Sequence, residues 1–403
     1  MKALGLEKFL RNDASKGILL IIATVLALLM ANSEWNEVYR KVLALPVPMP
    51  GKDFTVLLFI NDFLMAAFFL LVGMELKREV ADGELRSRSR VMLPALAALG
   101  GMVGPAVLYW AFNRADHASL AGWAIPCATD IAFALGILAL LGNRVPTGLK
   151  VFLTALAVLD DLGAIIIIAL FYTANLSKWF LLGAVALMVV MWLINRRGVT
   201  RIWVYLLFGT VMWWFMLMSG VHATLAGVAT AMVIPLRDRS DRKVMEHFEH
   251  QLAPLINFKV LPIFALANAG VTFGNLGAEG ITSHVSMGTA VGLIGGKVFG
   301  VFGAAWLAVK LKLGTLPASM TWRGLFGVSI LCGIGFTMSI FIAELAFARH
   351  GTDPMADAVA SMHLDQAKAG ILIGSFASAI LGISVLALVL PRKSIAPADL
   401  PID

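Results

Sequence analysis

Two adjacent carboxylates, Asp160 and Asp161, stand in the middle of an otherwise apolar run, Leu-Thr-Ala-Leu-Ala-Val-Leu-Asp-Asp-Leu-Gly-Ala-Ile-Ile-Ile-Ile-Ala, from Leu153 to Ala169. Without them the run is an ordinary membrane-spanning helix of about 20 residues or more. An aspartate near the bilayer centre costs about 2.5–3.5 kcal/mol on insertion scales. Two in sequence point about 100° apart on a helix, so one can face a partner while the other faces a cavity. Such a pair reads first as an ion or proton site. The purely structural alternative, satisfaction by neighbouring cations or backbone without turnover, is disfavoured by the expense of the charge.

The other ionisable groups in apolar stretches are Asp130 and Lys297, with Glu75 and Glu79 near inner span ends and Asp62 near an outer one. The simplest arrangement pairs one aspartate with Lys297 and leaves another free to bind a cation or protons. Carboxylate oxygens suit a small hard cation, and the lack of dedicated His or Cys ligands disfavours zinc and copper. Asp and Lys have reference pKa values of about 3.9 and 10.4. Burial moves these toward each other, so a dry carboxylate can trade a proton for Na+ or Li+ near neutral pH. Competition for one set of oxygens couples two opposed fluxes without a covalent step. Asp130 has a second reading equally open at this point, offsetting the partial positive charge of helix N-termini. Thr129 can lend an oxygen to an ion or cap a half-helix.

The elements that must position these groups follow from composition. The chain has 403 residues, 59% hydrophobic and 14% charged, with a mean hydropathy of +0.85. Long apolar runs without strand-like alternation give a polytopic α-helical membrane protein. The net charge of +7 does not signal nucleic acid, because the basic residues lie in short loops between spans. Cys127 and Cys332 fall inside apolar segments and read as free core side chains. The first apolar run has no cleavage site and is kept as a span.

Twelve spans are read, at roughly 17–32, 56–76, 91–112, 120–141, 149–172, 179–194, 202–218, 220–235, 256–273, 286–309, 324–348 and 368–390. With both termini inside, 24 Lys and Arg residues fall on the inner side and 7 on the outer, with Lys297 left within a span. The positive-inside rule therefore supports this count and cytoplasmic termini. The outer loop Ser33–Thr55 can form a small hairpin or an irregular cap. Residues 237–251 read as a solvated, charge-rich helix face.

A weak internal repeat links spans 3–5 with spans 10–12. Leu99-Gly100-Gly101-Met102-Val103 matches Ile294-Gly295-Gly296-Lys297-Val298, Cys127 to Phe133 lies over Cys332 to Met338, and Leu159 to Gly163 lies over Ser378 to Gly382. The copies start from opposite sides, which makes the repeat inverted, a mark of secondary transporters. Pro126 breaks the fourth span and Gly333-Ile334-Gly335 loosens the eleventh. Interrupted spans in corresponding positions point to a transport site. The fold expected is thus all-α, one integral membrane domain over 1–403 with twelve transmembrane helices, an inverted-topology repeat and two discontinuous helices, spans 4 and 11.

Several stretches together resemble the NhaA-type Na+/H+ antiporters of bacteria. They are Ala128-Thr129-Asp130-Ile131-Ala132-Phe133-Ala134-Leu135-Gly136, Leu159-Asp160-Asp161-Leu162-Gly163-Ala164, Gly295-Gly296-Lys297, Gly333 to Ser339, Phe68 to Glu79 and Phe264 to Val271. The resemblance implies electrogenic exchange of cytoplasmic Na+ or Li+ for more external H+, activated at alkaline pH and serving sodium and pH homeostasis. It implies an ion site at Asp160 and Asp161, with Asp161 the Na+ ligand, Asp160 the partner of Lys297, and Asp130 and Thr129 at the crossing of two unwound spans. It places pH response on Glu75, Glu79, Glu249, His250 and His222. It further implies no cofactor, a multi-pass protein of the inner membrane among lipids, and a homodimer joined partly by a hairpin from the first outer loop. An ion-binding bundle is expected over about 91–172 and 286–390, and an interface bundle over about 1–90 and 179–273. Around Glu246–Pro254 the family pattern has basic residues before the Glu-His pair and a further histidine where Ala253 stands, so the resemblance carries no activation pH. The rivals are another cation- or proton-coupled carrier and a membrane-embedded aspartyl enzyme. The latter lacks its Gly-x-Gly-Asp motif here, and metalloprotease and rhomboid-like motifs are also missing. A channel is disfavoured by two broken, inverted spans around a lysine.

Overall fold

The computed structural model describes residues 13–51, 53–83, 88–172, 176–317, 319–348 and 353–391. Of the basic loop residues counted above, Lys2, Lys8, Arg11, Lys52, Arg86, Arg349, Arg392 and Lys393 lie outside them. Apart from one short bridge between Pro46 and Thr55, the described residues are helical or irregular. In chain order the helices are α1 (Asp13–Ala31), α2 (Asn36–Leu43), α3 (Val56–Ala81), α4 (Arg88–Asn113), α5 (His117–Cys127), α6 (Ile131–Ala139), α7 (Thr147–Phe171) and α8 (Lys178–Arg196), followed by α9 (Ile202–Ser219), α10 (Leu225–Val233), α11 (Val244–Asn268), α12 (Phe273–Ile281), α13 (His284–Lys310), α14 (Trp322–Leu331), α15 (Phe336–Ala346) and α16 (Pro354–Val389).

Among the described residues nine of these are long and apolar enough to cross a membrane, and two bent pairs, α5 with α6 and α14 with α15, raise the number to eleven. Large apolar side chains such as Trp179, Phe299 and Leu388 are exposed along them, as expected of surfaces that face lipid. The bends are 43° and 45° and fall where the sequence places the breaks. Pro126 closes α5, and Gly335 stands at the start of α15.

Three expected spans differ in extent. The eighth, 220–235, is helical only over Leu225–Val233, because Gly220 takes φ +82 and ends α9 in the left-handed region that favours glycine. The ninth begins earlier, at Val244, and ends at Asn268. The twelfth is a 36-residue helix from Pro354, with the Asp353 side chain accepting from the Met355 amide at 2.9 Å. Lys368, counted as an outer-loop charge, lies inside it, paired with Glu344 at 2.6 Å. The outer loop does form a small hairpin, with Val47 N–H donating to the Phe54 carbonyl at 2.8 Å and Val56 N–H to Leu45 at 3.0 Å. Trp214 of α9 donates to its Pro50 carbonyl at 3.4 Å.

The element that delivers Lys297 is positioned by missing side chains. Helices α4 and α13 touch backbone to backbone: a Cβ on Gly100 would lie 2.2 Å from the Gly300 carbonyl oxygen, and one on Gly104 would lie 2.6 Å from that of Gly296. Small residues spaced four apart permit this approach in a membrane, where close packing rather than water drives helix association. The helices that carry the two Gly-Gly pairs matched in the repeat are therefore packed against each other, with Gly100 opposite Gly300 and Gly296 opposite Gly104. Around Lys297 the backbone of α13 widens into π-helical turns, Gly292–Gly296 and Val298–Phe302, an irregularity often found at functional sites.

Candidate ion site at the crossing of two broken helices

The two breaks meet. Asp130 N–H donates to the Ile334 carbonyl at 2.7 Å, which satisfies backbone groups that unwinding leaves open deep in the bundle. The Asp130 carboxylate then serves both half-helices that start here. It accepts from Phe133 N–H at 2.9 Å, capping α6, and from Thr337 N–H at 3.1 Å and the Thr337 hydroxyl in the first turn of α15. A carboxylate between two N-termini offsets the partial positive charge of both. Of the two readings left open for Asp130, its contacts fit charge compensation.

Asp160 and Asp161 are both buried on α7 but meet different surroundings. Asp160 Oδ2 accepts from the Lys297 ammonium at 2.5 Å and from the Thr129 hydroxyl at 2.7 Å. Neither Lys297 nor Asp160 has any exposed side-chain surface. Thr129 has one proton for two acceptors, since the Cys332 carbonyl lies 2.9 Å from the same hydroxyl. Asp161 has neither oxygen hydrogen-bonded among the described residues, and Asp160 Oδ1 is likewise without a partner. Asp161 also lines a cavity of about 110 Å³ with Glu75, Asp130, Thr337, Asn257 and Lys16. Asp160 does not line it. A buried carboxylate with no donor to it and a cavity in front of it is suited to accept something from that cavity, a proton or a hard cation. Among the described residues no group of three His, Cys, Asp or Glu side chains could hold a metal ion.

The candidate pH-response residues divide. Glu75 lines the cavity. One turn on, Arg78 pairs with Glu79 at 3.1 Å and with the buried Glu249 of α11 at 3.0 Å. His250, next to Glu249, is exposed. His222 is elsewhere: its Nε2 lies against the Tyr172 carbonyl just beyond the C-terminus of α7. Helix α10 separates the two places. His222 precedes its N-terminus, while the Lys77 ammonium reaches the carbonyls of Met232 and Ile234 at its C-terminus, at 2.7 and 2.5 Å.

Three participants were missed by sequence reasoning. Thr337 was only part of a quoted motif, although a hydroxyl just after Gly333-Ile334-Gly335 is a signal for a helix start. Arg78 was a loop charge within a quoted motif and Lys16 a loop charge alone, yet the first sits between two glutamates and the second lines the cavity.

The comparisons agree on one family. The family model described as Na+/H+ antiporter 1 matches residues 7–386. A Na+/H+ antiporter NhaA of Yersinia pseudotuberculosis serotype O:3 (strain YPIII) is 51% identical over 392 residues, 96% of this chain and 97% of that relative. One of Pseudomonas putida (strain GB-1) is 51% identical over 386 residues, 94% of this chain and 96% of the relative.

Proposed function

The chain belongs to the Na+/H+ antiporter family, a family of membrane transporters and not of enzymes, and from that premise we propose that Na+ or Li+ and H+ compete for the Asp161 carboxylate. The observation that carries the assignment is the contrast between the neighbours: Asp160 is held by Lys297 and Thr129, whereas Asp161 has two unpartnered buried oxygens beside a cavity. Protonated, Asp161 is neutral and needs no partner. A cation entering from the cavity displaces the proton and is stabilised by the carboxylate it leaves ionised. Occupancy by one excludes the other, so alternating access to the two sides yields exchange.

Exchange of cytoplasmic Na+ for a larger number of external protons needs a second titrating group near the first. The Asp160–Lys297 pair adjoins Asp161 and fills that role. Asp130 and Thr129 hold the crossing rather than lead in ligation. Activation at alkaline pH is assigned to Glu75 on the cavity wall together with Glu79, Glu249 and His250, with His222 acting from the other end of α10. In this reading α10 is a short twelfth crossing, both termini are cytoplasmic, and spans 3–5 and 10–12 are inverted copies. These copies form the ion-binding bundle, and residues 1–90 and 179–273 form an interface bundle. The protein works in the bacterial inner membrane among lipids as a homodimer joined partly by the outer hairpin, and needs no cofactor.

The test is exchange in everted membrane vesicles. Added Na+ or Li+ collapses a preset pH gradient at alkaline pH, and an imposed membrane potential changes the rate. No response to either cation across the alkaline range overturns the reading.

A further inference from the structure

A cavity of about 450 Å³ lies away from the ion site, where the first turns of α4 and α7 meet the connection between α13 and α14. Apolar side chains such as Leu93, Pro94, Val151 and Phe152 form its body, and Thr147, Thr315 and Ser319 add hydroxyls. The end of α13 marks the membrane depth. The Lys310 ammonium lies over the Trp306 ring at 4.7 Å, and Trp306, Leu311 and Leu313 are exposed. Aromatic, aliphatic and basic side chains mix in this way where a span leaves the bilayer. Val151, on the cavity wall, is itself 39% exposed.

The surroundings carry one sign of charge. The stretches 88–115, 139–159 and 308–324 hold every residue that lines the cavity and contain no Asp or Glu. Lys150 adjoins Val151, Lys312 stands three residues before Thr315, and Arg323 stands four after Ser319. Such separations span at most about 14 Å of chain. All three are exposed and have no carboxylate partner among the described residues. Orientation in the membrane accounts for their sign but not for their positions. Lys312 has φ +59 and stands where a Schellman motif ordinarily has glycine. Leu313 N–H donates to the Ala308 carbonyl at 2.9 Å and Lys312 N–H to that of Val309 at 3.0 Å. Arg323 is the second residue of α14, where the helix end is already positive.

We propose that this cavity binds an anionic phospholipid, with an acyl chain against α4 and α7 and the phosphate among Lys150, Lys312 and Arg323. The apolar body favours a lipid over free phosphate, and the acid-free basic rim favours an anionic headgroup over a zwitterionic one. Each Lys or Arg beside an anionic headgroup adds about fivefold in affinity. The lipid would clamp, from outside, the helices that carry Asp160 and Lys297. The inference goes beyond the antiport reading, because lipid binding does not depend on which ion is exchanged.

The experiment titrates fluorescent dioleoyl phosphatidylglycerol into the purified protein in neutral detergent, beside thermal melting without lipid. Lys312→Gln and Arg323→Gln should each weaken binding about fivefold, and Lys312→Arg should keep the parent affinity. Val151→Trp, which fills the cavity, should weaken binding at least as much. Unlabelled phosphatidylglycerol should compete, whereas dioleoyl phosphatidylcholine and inorganic phosphate should not. Lys312→Gly separates the lipid role from a scaffold role. Glycine relieves the left-handed backbone, so Tm without lipid should rise by about 1–2 °C, while lipid affinity falls about fivefold. Unchanged lipid affinity in Lys312→Gly and Arg323→Gln, equal binding of phosphatidylcholine, or competition by inorganic phosphate overturns the proposal. So does a changed oligomeric mass in Val151→Trp with lipid affinity intact, which gives the cavity to a second copy of the chain. Exchange in vesicles tests the antiport reading separately.

Discussion

On one face of α7, Asp160 lies against an ammonium at 2.5 Å and a hydroxyl at 2.7 Å, with no side-chain surface exposed. About 100° round the same helix, Asp161 is as deeply buried but faces a cavity, with neither oxygen hydrogen-bonded among the described residues. Residue type, depth and helix are shared, so the difference comes from what neighbouring helices present. Toward Asp160, the glycine contact between α4 and α13 brings in Lys297. Toward Asp161, α1, α3 and α6 leave a space walled by Lys16, Glu75 and Asp130. On the reading proposed above, a buried carboxylate given a counter-charge by the fold titrates together with that partner, whereas one given a space can trade its proton for a cation.

The sharpest way to break that comparison is to neutralise each carboxylate in turn. Asp161→Asn should reduce Na+- and Li+-dependent exchange to background. Its thermal stability should stay within about 1 kcal/mol of the parent, since no donor loses its acceptor. Asp160→Asn leaves Lys297 buried without its counter-charge and should destabilise by about 3–5 kcal/mol. Melting of both variants in detergent, set beside vesicle exchange, decides the matter. Equal destabilisation by the two substitutions would erase the distinction.

Approached from the other partner, Lys297→Ala should likewise cost about 3–5 kcal/mol, because Asp160 is then the stranded charge. Combining Lys297→Met with Asp160→Leu should recover much of the loss, with a coupling energy well above that of distant sites. A double variant no more stable than either single one would show that the pair does not act as a unit. Smaller again is Thr337→Val, which removes the hydroxyl donated to Asp130 and leaves the amide contacts. A loss of about 1–3 kcal/mol is expected, with KM for Na+ unchanged if Asp130 compensates helix ends. A raised KM with unchanged stability would move Asp130 into the ion's ligand set.

Much of this arrangement was legible because its signals are local. Aspartates in an apolar run, Pro126, and Gly333-Ile334-Gly335 each announce themselves within a few residues, and the fold class follows from composition. What was hidden depends on partners far along the chain. Hydropathy reads His363, Gln366 and Lys368 as the approach to a span, yet all three are buried in α16, and Lys368 is kept there by Glu344 of α15. The solvated helix read over 237–251 begins only at Val244 and runs on into the ninth span, and Glu249 on it is buried where Arg78 of α3 reaches it. The double cap by Asp130 requires knowing that two breaks some two hundred residues apart in the chain touch each other. Periodicity cannot reveal counter-charges that arrive from elsewhere.

A third aspartate sharpens the comparison from outside the membrane segments. Asp116 caps α5, accepting from Ala118 N–H at 3.0 Å and Ser119 N–H at 3.2 Å. Slight burial pushes its carboxyl up, but the donors at Ala118 and Ser119 and the nearby His363 outweigh it and hold the carboxyl below the ordinary value of 3.8. A carboxyl depressed in the folded state adds stability that is present above its unfolded value and is lost as pH falls through the folded one. Asp116→Ala should therefore cost about 1 kcal/mol or less near pH 7, the size of a helix cap reduced by solvent screening. The difference from the parent should close below the ordinary value of 3.8. Asp116→Asn should keep most of the cap but lose the pH dependence. Exchange at saturating Na+ should be untouched in both, because this carboxylate has donors and water where Asp161 has only a cavity. A pH-independent cost in Asp116→Ala would mean that its ionised form gains nothing from the cap, and that donors alone do not separate a structural carboxylate from an exchangeable one.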